Sequence, residues 1–270
     1  MRMNLLSDLQ ASILVRLPLT VYCQVINMRN RIRGKAHRIS PFEGNHILKA
    51  YDATDEIFLC RRRLHNRYRH GIRARIDKLA KEYHLDHVPT KPGGLFIDCG
   101  ANIGELGLWA LARGMDYVAF EPEPLEARCI DLNVYGGEPK ATRKALWKSN
   151  SSIEFFSKPE SEDSSIIEMD GAQSQMIIEA VRLDTEIALN GRTGPVIFKV
   201  EGEGAEPEIL EGATGVLPSI DFVTVDCGFE RGREKSPTFV ESNALLADAG
   251  FRLQEFEFGR VTALYHNANR

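Results

Sequence analysis

From Phe96 to Gly104 the chain reads F-I-D-C-G-A-N-I-G, an apolar run that ends in a carboxylate and enters a turn with two glycines. Few arrangements constrain a fold as tightly. A buried strand that delivers Asp98 to its carboxyl end, followed by bare backbone at Gly100 and Gly104, sets a carboxylate and a tight turn against a small ligand. A helix then begins near Gly104, with Leu106, Leu108, Trp109 and Leu111 available to pack on a sheet. Open α/β sheets bind ligands at this edge, outside the carboxyl ends of their strands.

The pattern downstream extends that sheet. Strands are predicted at 95–99, 117–120, 140–145, 196–200 and 222–226, with helices over 105–113, 125–134, 206–212 and 237–249. Runs at 251–258 and 261–266, separated by Gly259-Arg260, predict a closing hairpin that makes one edge antiparallel. Residues 149–182 interrupt the alternation, and 153–156, 165–168 and 176–181 predict short strands in a β-rich insertion. The expected fold is α/β, a doubly wound and mostly parallel sheet. Pro89–Gly94 (P-T-K-P-G-G) predicts a boundary between an N-terminal helical extension, 1–92, and this domain, 93–270. In the extension, helices are predicted over 5–33 and 55–83 with a loop at 40–45. Leu64, Tyr68, Ile72, Ile76, Leu79 and Tyr83 make a core-facing stripe, and Gly71 is a candidate helix break.

The net charge of −4 conceals a segregation of sign. Residues 1–92 hold 18 Lys+Arg and 8 Asp+Glu, while the remainder holds 16 and 30. Either the basic segment meets something anionic (lipid headgroups, an acidic sugar, nucleic acid, a partner protein) or it docks on its own acidic domain. Leu5, Leu9, Ile13, Leu17 and Val21 recur every four residues, and Arg29, Arg31, Arg33 and Lys35 follow. That pattern suits an interfacial membrane contact through residues 5–33, and equally a helix packed on the domain or in a homodimer. No apolar run approaches the roughly 20 residues that span a bilayer, and no small-residue cleavage site follows, so neither a membrane span nor a signal peptide is expected. Five scattered cysteines without a C-x-x-C pair predict packed, reduced thiols, a cytoplasmic setting and no metal site.

Gly100 and Gly104, with Ala101, Asn102 and Ile103 between them, do not make the dinucleotide fingerprint. Asp98 would repel a pyrophosphate and suits a ligand that carries an ammonium or sulfonium. Glu121 lies 23 residues after Asp98, where a carboxylate can accept both hydroxyls of a ribose. Acid, glycine turn and ribose acid together point to S-adenosylmethionine (SAM).

With A-F-E-P-E-P at 119–124 and F-K-V-E-G-E-G-A-E-P-E-I-L-E-G-A at Phe198–Ala213, the chain resembles the FkbM family of methyltransferases over residues 95–265. The resemblance implies a class I methyltransferase fold, SAM as donor, and O-methylation of a sugar or other small-molecule hydroxyl. It further implies that Asp98, Gly100, Asn102 and Gly104 line the methionine end and that Glu121 holds the ribose. The family commonly reads K-I-D-V-E-G-A-E where this chain has Lys199 to Glu206. Here Glu201 replaces the aspartate and Gly202 a β-branched residue.

Methyl transfer is an in-line displacement, so alignment of acceptor oxygen and sulfonium does much of the work. Glu201 or Glu203 could accept the acceptor's proton or orient it, and Lys199 could steady an oxyanion or serve as a structural partner of these acids. Asp226, at the end of the next strand, could face the acceptor or be structural. The expected acceptor is a glycan or small molecule, anionic if the arginines read it. Two other readings follow from the residues: nucleic-acid methylation guided by the basic segment, or cofactor binding without transfer. Aromatic residues are sparse among those arginines, so nucleic acid is not the expected partner.

Overall fold

The computed structural model describes residues 14, 16–157, 164–165, 174–189 and 191–270. The chain divides into two compact units, residues 1–77 and 78–270. The predicted helix over 5–33 is described as Leu19–Ile32; its first turns, with Leu5, Leu9 and Ile13, lie outside the described residues. Pro18 holds an extended conformation before the helix and accepts the Tyr22 N–H, which fixes where it starts.

The first unit is not all helical. Arg38–Glu43 (β1), Ile47–Tyr51 (β2) and Glu56–Leu59 (β3) form an antiparallel sheet where the sequence predicts a loop and the start of a helix. Registers Ile39↔Ala50, Ala50↔Ile57 and Leu48↔Leu59 align apolar residues on one face, and all five are buried. These period-two runs are only four to six residues long, too short to stand out against helical spacing. Asn27 ties the helix to the sheet by accepting the Ile39 N–H at 2.9 Å and donating to its carbonyl at 2.7 Å. After β3 the apolar stripe continues, but over two elements, a 3₁₀ turn at Arg62–Tyr68 and a helix at Ile72–Glu82. Gly71, at φ +105°, separates them. The two compact units divide within this helix, before Lys78.

The second unit is built on a six-stranded sheet. In chain order its strands are Leu95–Cys99 (β4), Asp116–Phe120 (β5), Val196–Val200 (β6), Phe222–Asp226 (β7), Phe251–Glu257 (β8) and Thr262–Asn267 (β9). Their spatial order is β8-β9-β7-β6-β4-β5. β5, β4, β6 and β7 pair in parallel, and β9 is antiparallel to both of its neighbours. The antiparallel strand therefore lies inside the sheet, and the edge strand β8 runs with the parallel set. Helices Glu105–Leu111, Pro124–Val134, Glu206–Glu211 and Phe239–Asp248 connect the strands. β4 and β6 are buried along their whole length.

Of the strand predicted at 140–145 only Ala145 enters one, the two-residue strand Ala145–Leu146. Asp131 accepts the N–H groups of Lys140 and Ala141 at 2.9 and 2.8 Å, which withdraws those donors from a ladder. Thr142 alone bridges β5, at Phe120. The expected β-rich insertion is present as a second sheet, with Ala145–Leu146, Ser151–Ser157, Ser164–Ser165 and Ser174–Val181 as its strands. Residues 166–168 of one predicted strand lie outside the described residues. Phe155, Ile178, Ala145 and Ala180 form its small core.

Candidate active site

β4 leads to β5 on one side, and the chain later returns to place β6 on the other. That reversal opens a crevice at the carboxyl ends of β4 and β6, where open α/β sheets bind ligands. Two loops meet there. After β4, Gly100, Asn102 and Gly104 all take positive φ, at +67°, +50° and +82°. A Cβ on Gly100 would overlap the Glu201 carbonyl of the loop after β6, so glycine is required both for its conformation and for the closeness of the two backbones.

A line of alternating charge crosses this edge. The Tyr117 hydroxyl donates to Asp98 Oδ2 at 2.7 Å, and Lys199 Nζ lies 3.0 Å from Asp98 Oδ1 and 2.8 Å from Glu201 Oε2. Lys199 also donates to the carbonyls of Cys99 and Gly100, at 3.0 and 2.7 Å. From the turn between β8 and β9, Arg260 Nη2 reaches Glu201 Oε1 at 2.9 Å and the Tyr83 hydroxyl at 3.0 Å, while its Nε reaches Asp226 Oδ2 at 2.6 Å. Burial opposes ionisation of Glu201, but Lys199 and Arg260 outweigh it and bring its carboxyl down to about 2. The extra methylene of Glu201 relative to aspartate lengthens the side chain that joins those two cations.

Three of the residues expected at the site take part in these contacts. Asp98 is 1% exposed and engaged by Lys199 and Tyr117. Lys199 is 2% exposed, and its ammonium serves two carboxylates and two carbonyls, which suits a structural cation better than an oxyanion ligand. Glu201, ion-paired on both sides, is a weak base.

Glu121, expected from the sequence to hold a ribose, faces the turn. Its carboxyl accepts the N–H groups of Asn102 at 2.8 Å and Glu123 at 3.0 Å. Burial, and then the charge of Glu126, push it up to about 8. Glu203 lies in the loop after β6 at φ +52°, a conformation uncommon outside glycine. Glu206 shapes that loop. Its Oε1 accepts the N–H groups of Gly202 and Gly204, at 2.8 and 3.1 Å, and its Oε2 accepts the Thr238 hydroxyl at 2.7 Å.

Three residues that the sequence did not single out complete the edge. Arg260 sits in the predicted hairpin turn, but nothing in its spacing announces its partners. Tyr83 appears in the sequence only as part of an apolar stripe. Glu230 follows β7, and burial, with the charges of Asp226 and Glu201, raises its carboxyl to about 8. Val261, next to Arg260, takes φ +61°, a strained conformation for a β-branched residue. Its carbonyl accepts the Cys227 N–H at 2.9 Å, which ties the Arg260 turn to the end of β7.

Among curated proteins none matches this sequence. Solved structures offer distant likenesses. Magnesium protoporphyrin IX methyltransferase from Synechocystis, with bound SAM, shares 11% identity over 76% of this chain and 84% of its own, with a TM-score of 0.42. A SAM-dependent methyltransferase from Aquifex aeolicus shares 13% over 71% and 88%, with a TM-score of 0.38. A TehB-like enzyme from Corynebacterium glutamicum shares 11% over 69% and 85%, with a TM-score of 0.37. The sequence profile described as Methyltransferase FkbM domain matches residues 98–253, from Asp98 at the end of β4 into β8. The glycine turn, Glu121 and the loop after β6 all lie within that match, and the chain belongs to the FkbM methyltransferase family.

Proposed function

We propose that the protein is a SAM-dependent O-methyltransferase acting on a hydroxyl of a carbohydrate or small metabolite. The observation that carries the reading is the edge itself, where the glycine turn, Glu121 and the loop after β6 lie within the family match; Glu230, raised by burial to about 8, adds an acid there. A group that titrates close to working pH suits transfer of a hydroxyl proton.

The residues fit the donor. A glycine turn offers bare backbone, Glu121 reaches that turn, and the same edge gathers the carboxylates of Glu201, Asp226 and Glu230, a donor set that suits a cationic ligand. Asn102, Gly100 and Gly104 would hold the methionine end through backbone, and Glu121 would accept the ribose hydroxyls. Asp98 and Lys199 act here as positioning residues for the turn. SAM, when bound, supplies a methyl group made electrophilic by its sulfonium. Ionised Glu230 would take the proton that the acceptor hydroxyl gives up on transfer. Arg260 fixes Glu201 and Asp226 beside it, and Glu203 lies in the adjoining loop, where it can contact the acceptor.

Transfer from labelled SAM to polysaccharide fragments and nucleotide sugars, with RNA in parallel, tests this assignment. Label is expected on a hydroxyl of a glycan or small acceptor. Label on RNA alone would replace the acceptor class, and absence of SAM binding by the folded protein would remove the enzymatic reading altogether.

A further inference from the structure

The helix Leu19–Ile32 has two apolar faces, and its own unit covers one of them. Leu19, Tyr22, Cys23 and Ile26 are buried, with Asn30, on the inner face. At 100° per residue the opposite face carries Val21, Val25, Met28 and Ile32, a continuous row about 16 Å long at 1.5 Å per residue. Val21 is 40% exposed, Met28 60% and Ile32 78%. A surface helix of a globular unit needs a single apolar stripe, so a second one, exposed among the described residues, calls for a partner surface.

Charge narrows what that is. The row is flanked by Arg29 on one side and Arg31 on the other, and Arg33 follows at the C-cap. Residues 9–42 contain six Lys+Arg and no Asp or Glu. A second copy of this face would bring no carboxylate to those arginines. A uniformly anionic plane suits both features, because apolar side chains can enter the boundary between headgroups and acyl chains while arginines stay among the phosphates. Among the described residues no helix is long and apolar enough to cross a membrane, so any such contact is made along the helix.

We infer that the outward face of Leu19–Ile32, formed by Val21, Val25, Met28 and Ile32 with Arg29, Arg31 and Arg33, seats the protein on an anionic lipid surface. The assignment is independent of the methyl-transfer site.

Co-sedimentation of the full chain with vesicles tests it, using phosphatidylcholine alone and phosphatidylcholine with about one-third phosphatidylserine. Binding is expected to the anionic vesicles only, and is expected to disappear at high salt. Two variants probe the face at exposed positions, Met28→Ser with Ile32→Ser, and Arg29→Gln with Arg31→Gln and Arg33→Gln. The arginine set is expected to weaken binding on the order of a hundredfold and the apolar set at least about tenfold, with unfolding curves and methyl transfer unchanged. No binding to anionic vesicles at low salt overturns the inference, as does binding that both variants retain. A dimer that Ile32→Ser dissociates, in protein that ignores vesicles, assigns the face to a second copy and also overturns it.

Discussion

Lys199 and Asp98 stand opposite each other in the β4–β6 strand pair and form an ion pair, with Nζ 3.0 Å from Oδ1 and side chains 3% and 1% exposed. Both are out of water, so the pair is less a source of stability than a condition for burying either charge. Lys199→Met leaves two carboxylates, Asp98 and Glu201, without their shared cation. The expected loss is about 3–5 kcal/mol in urea unfolding. Combining it with Asp98→Asn is expected to recover part of that loss, because one stranded charge goes with it. If Lys199→Met unfolds like the parent protein, the ammonium is not a structural cation.

Glu121 provides a pH test of the donor site. Its carboxyl is raised to about 8, chiefly by burial, so the ligand-free protein holds it largely neutral at pH 7. Ribose hydroxyls donate best to the ionised form. Affinity for SAM, measured by titration calorimetry, is therefore expected to rise as pH climbs through about 8. Glu121→Gln is expected to bind more weakly by about 1.5–3 kcal/mol and without that pH dependence. The sign for stability is opposite. A carboxyl raised on folding contributes fully below its ordinary range and loses that contribution as pH rises through 8, so Glu121→Gln is expected to narrow any stability deficit above pH 8. A flat affinity profile in the parent protein would detach Glu121 from the donor.

The parts legible in the sequence are those set by local chemistry. The apolar run 95–99, the glycines after it and the acid at 121 each act through their own backbone or through a neighbour across one strand pair, so residue type and spacing sufficed. The β1–β3 sheet was hidden because its strands are short and its pairing depends on contacts between runs, which no single window contains. Lys199 and Glu201 were visible as candidates, but their roles were not. Arg260 reaches Glu201 across 59 positions and joins it to Asp226. Whether a carboxylate is a base or an anchor depends on which cation stands beside it, and that is a property of the folded edge.

Two glycines with similar backbone angles separate conformational strain from crowding. Gly136, at φ +64°, has no atom within 4 Å of where a Cβ would lie, whereas at Gly100, φ +67°, a Cβ would meet the Glu201 backbone. Gly136→Ala is expected to cost about 1 kcal/mol, the penalty of the left-handed conformation alone. Gly100→Ala adds the displacement of the loop after β6, for a total on the order of 3 kcal/mol, and is expected to weaken SAM binding as well. Equal losses in thermal unfolding would show that the two loops are not held in contact at Gly100.

Glu230 and Arg260 can be tested together through the pH dependence of turnover. With donor and acceptor saturating, the donor-site titration of Glu121 is suppressed, and kcat reports the group that takes the proton. Burial and the charges of Asp226 and Glu201 raise Glu230 to about 8, while Arg260 acts in the opposite sense. The parent protein is therefore expected to gain activity about tenfold per pH unit up to near 8 and then level off. Glu230→Gln is expected to lower kcat by about 10²–10⁴ and to abolish that inflection. Arg260→Met removes the cation that favours the ionised acid, so its inflection is expected to move to higher pH with Glu230 still present. A purely structural arginine would lower activity without moving the inflection. If Glu230→Gln keeps the parent profile, the proton goes elsewhere, and Glu203 in the neighbouring loop becomes the residue to replace next.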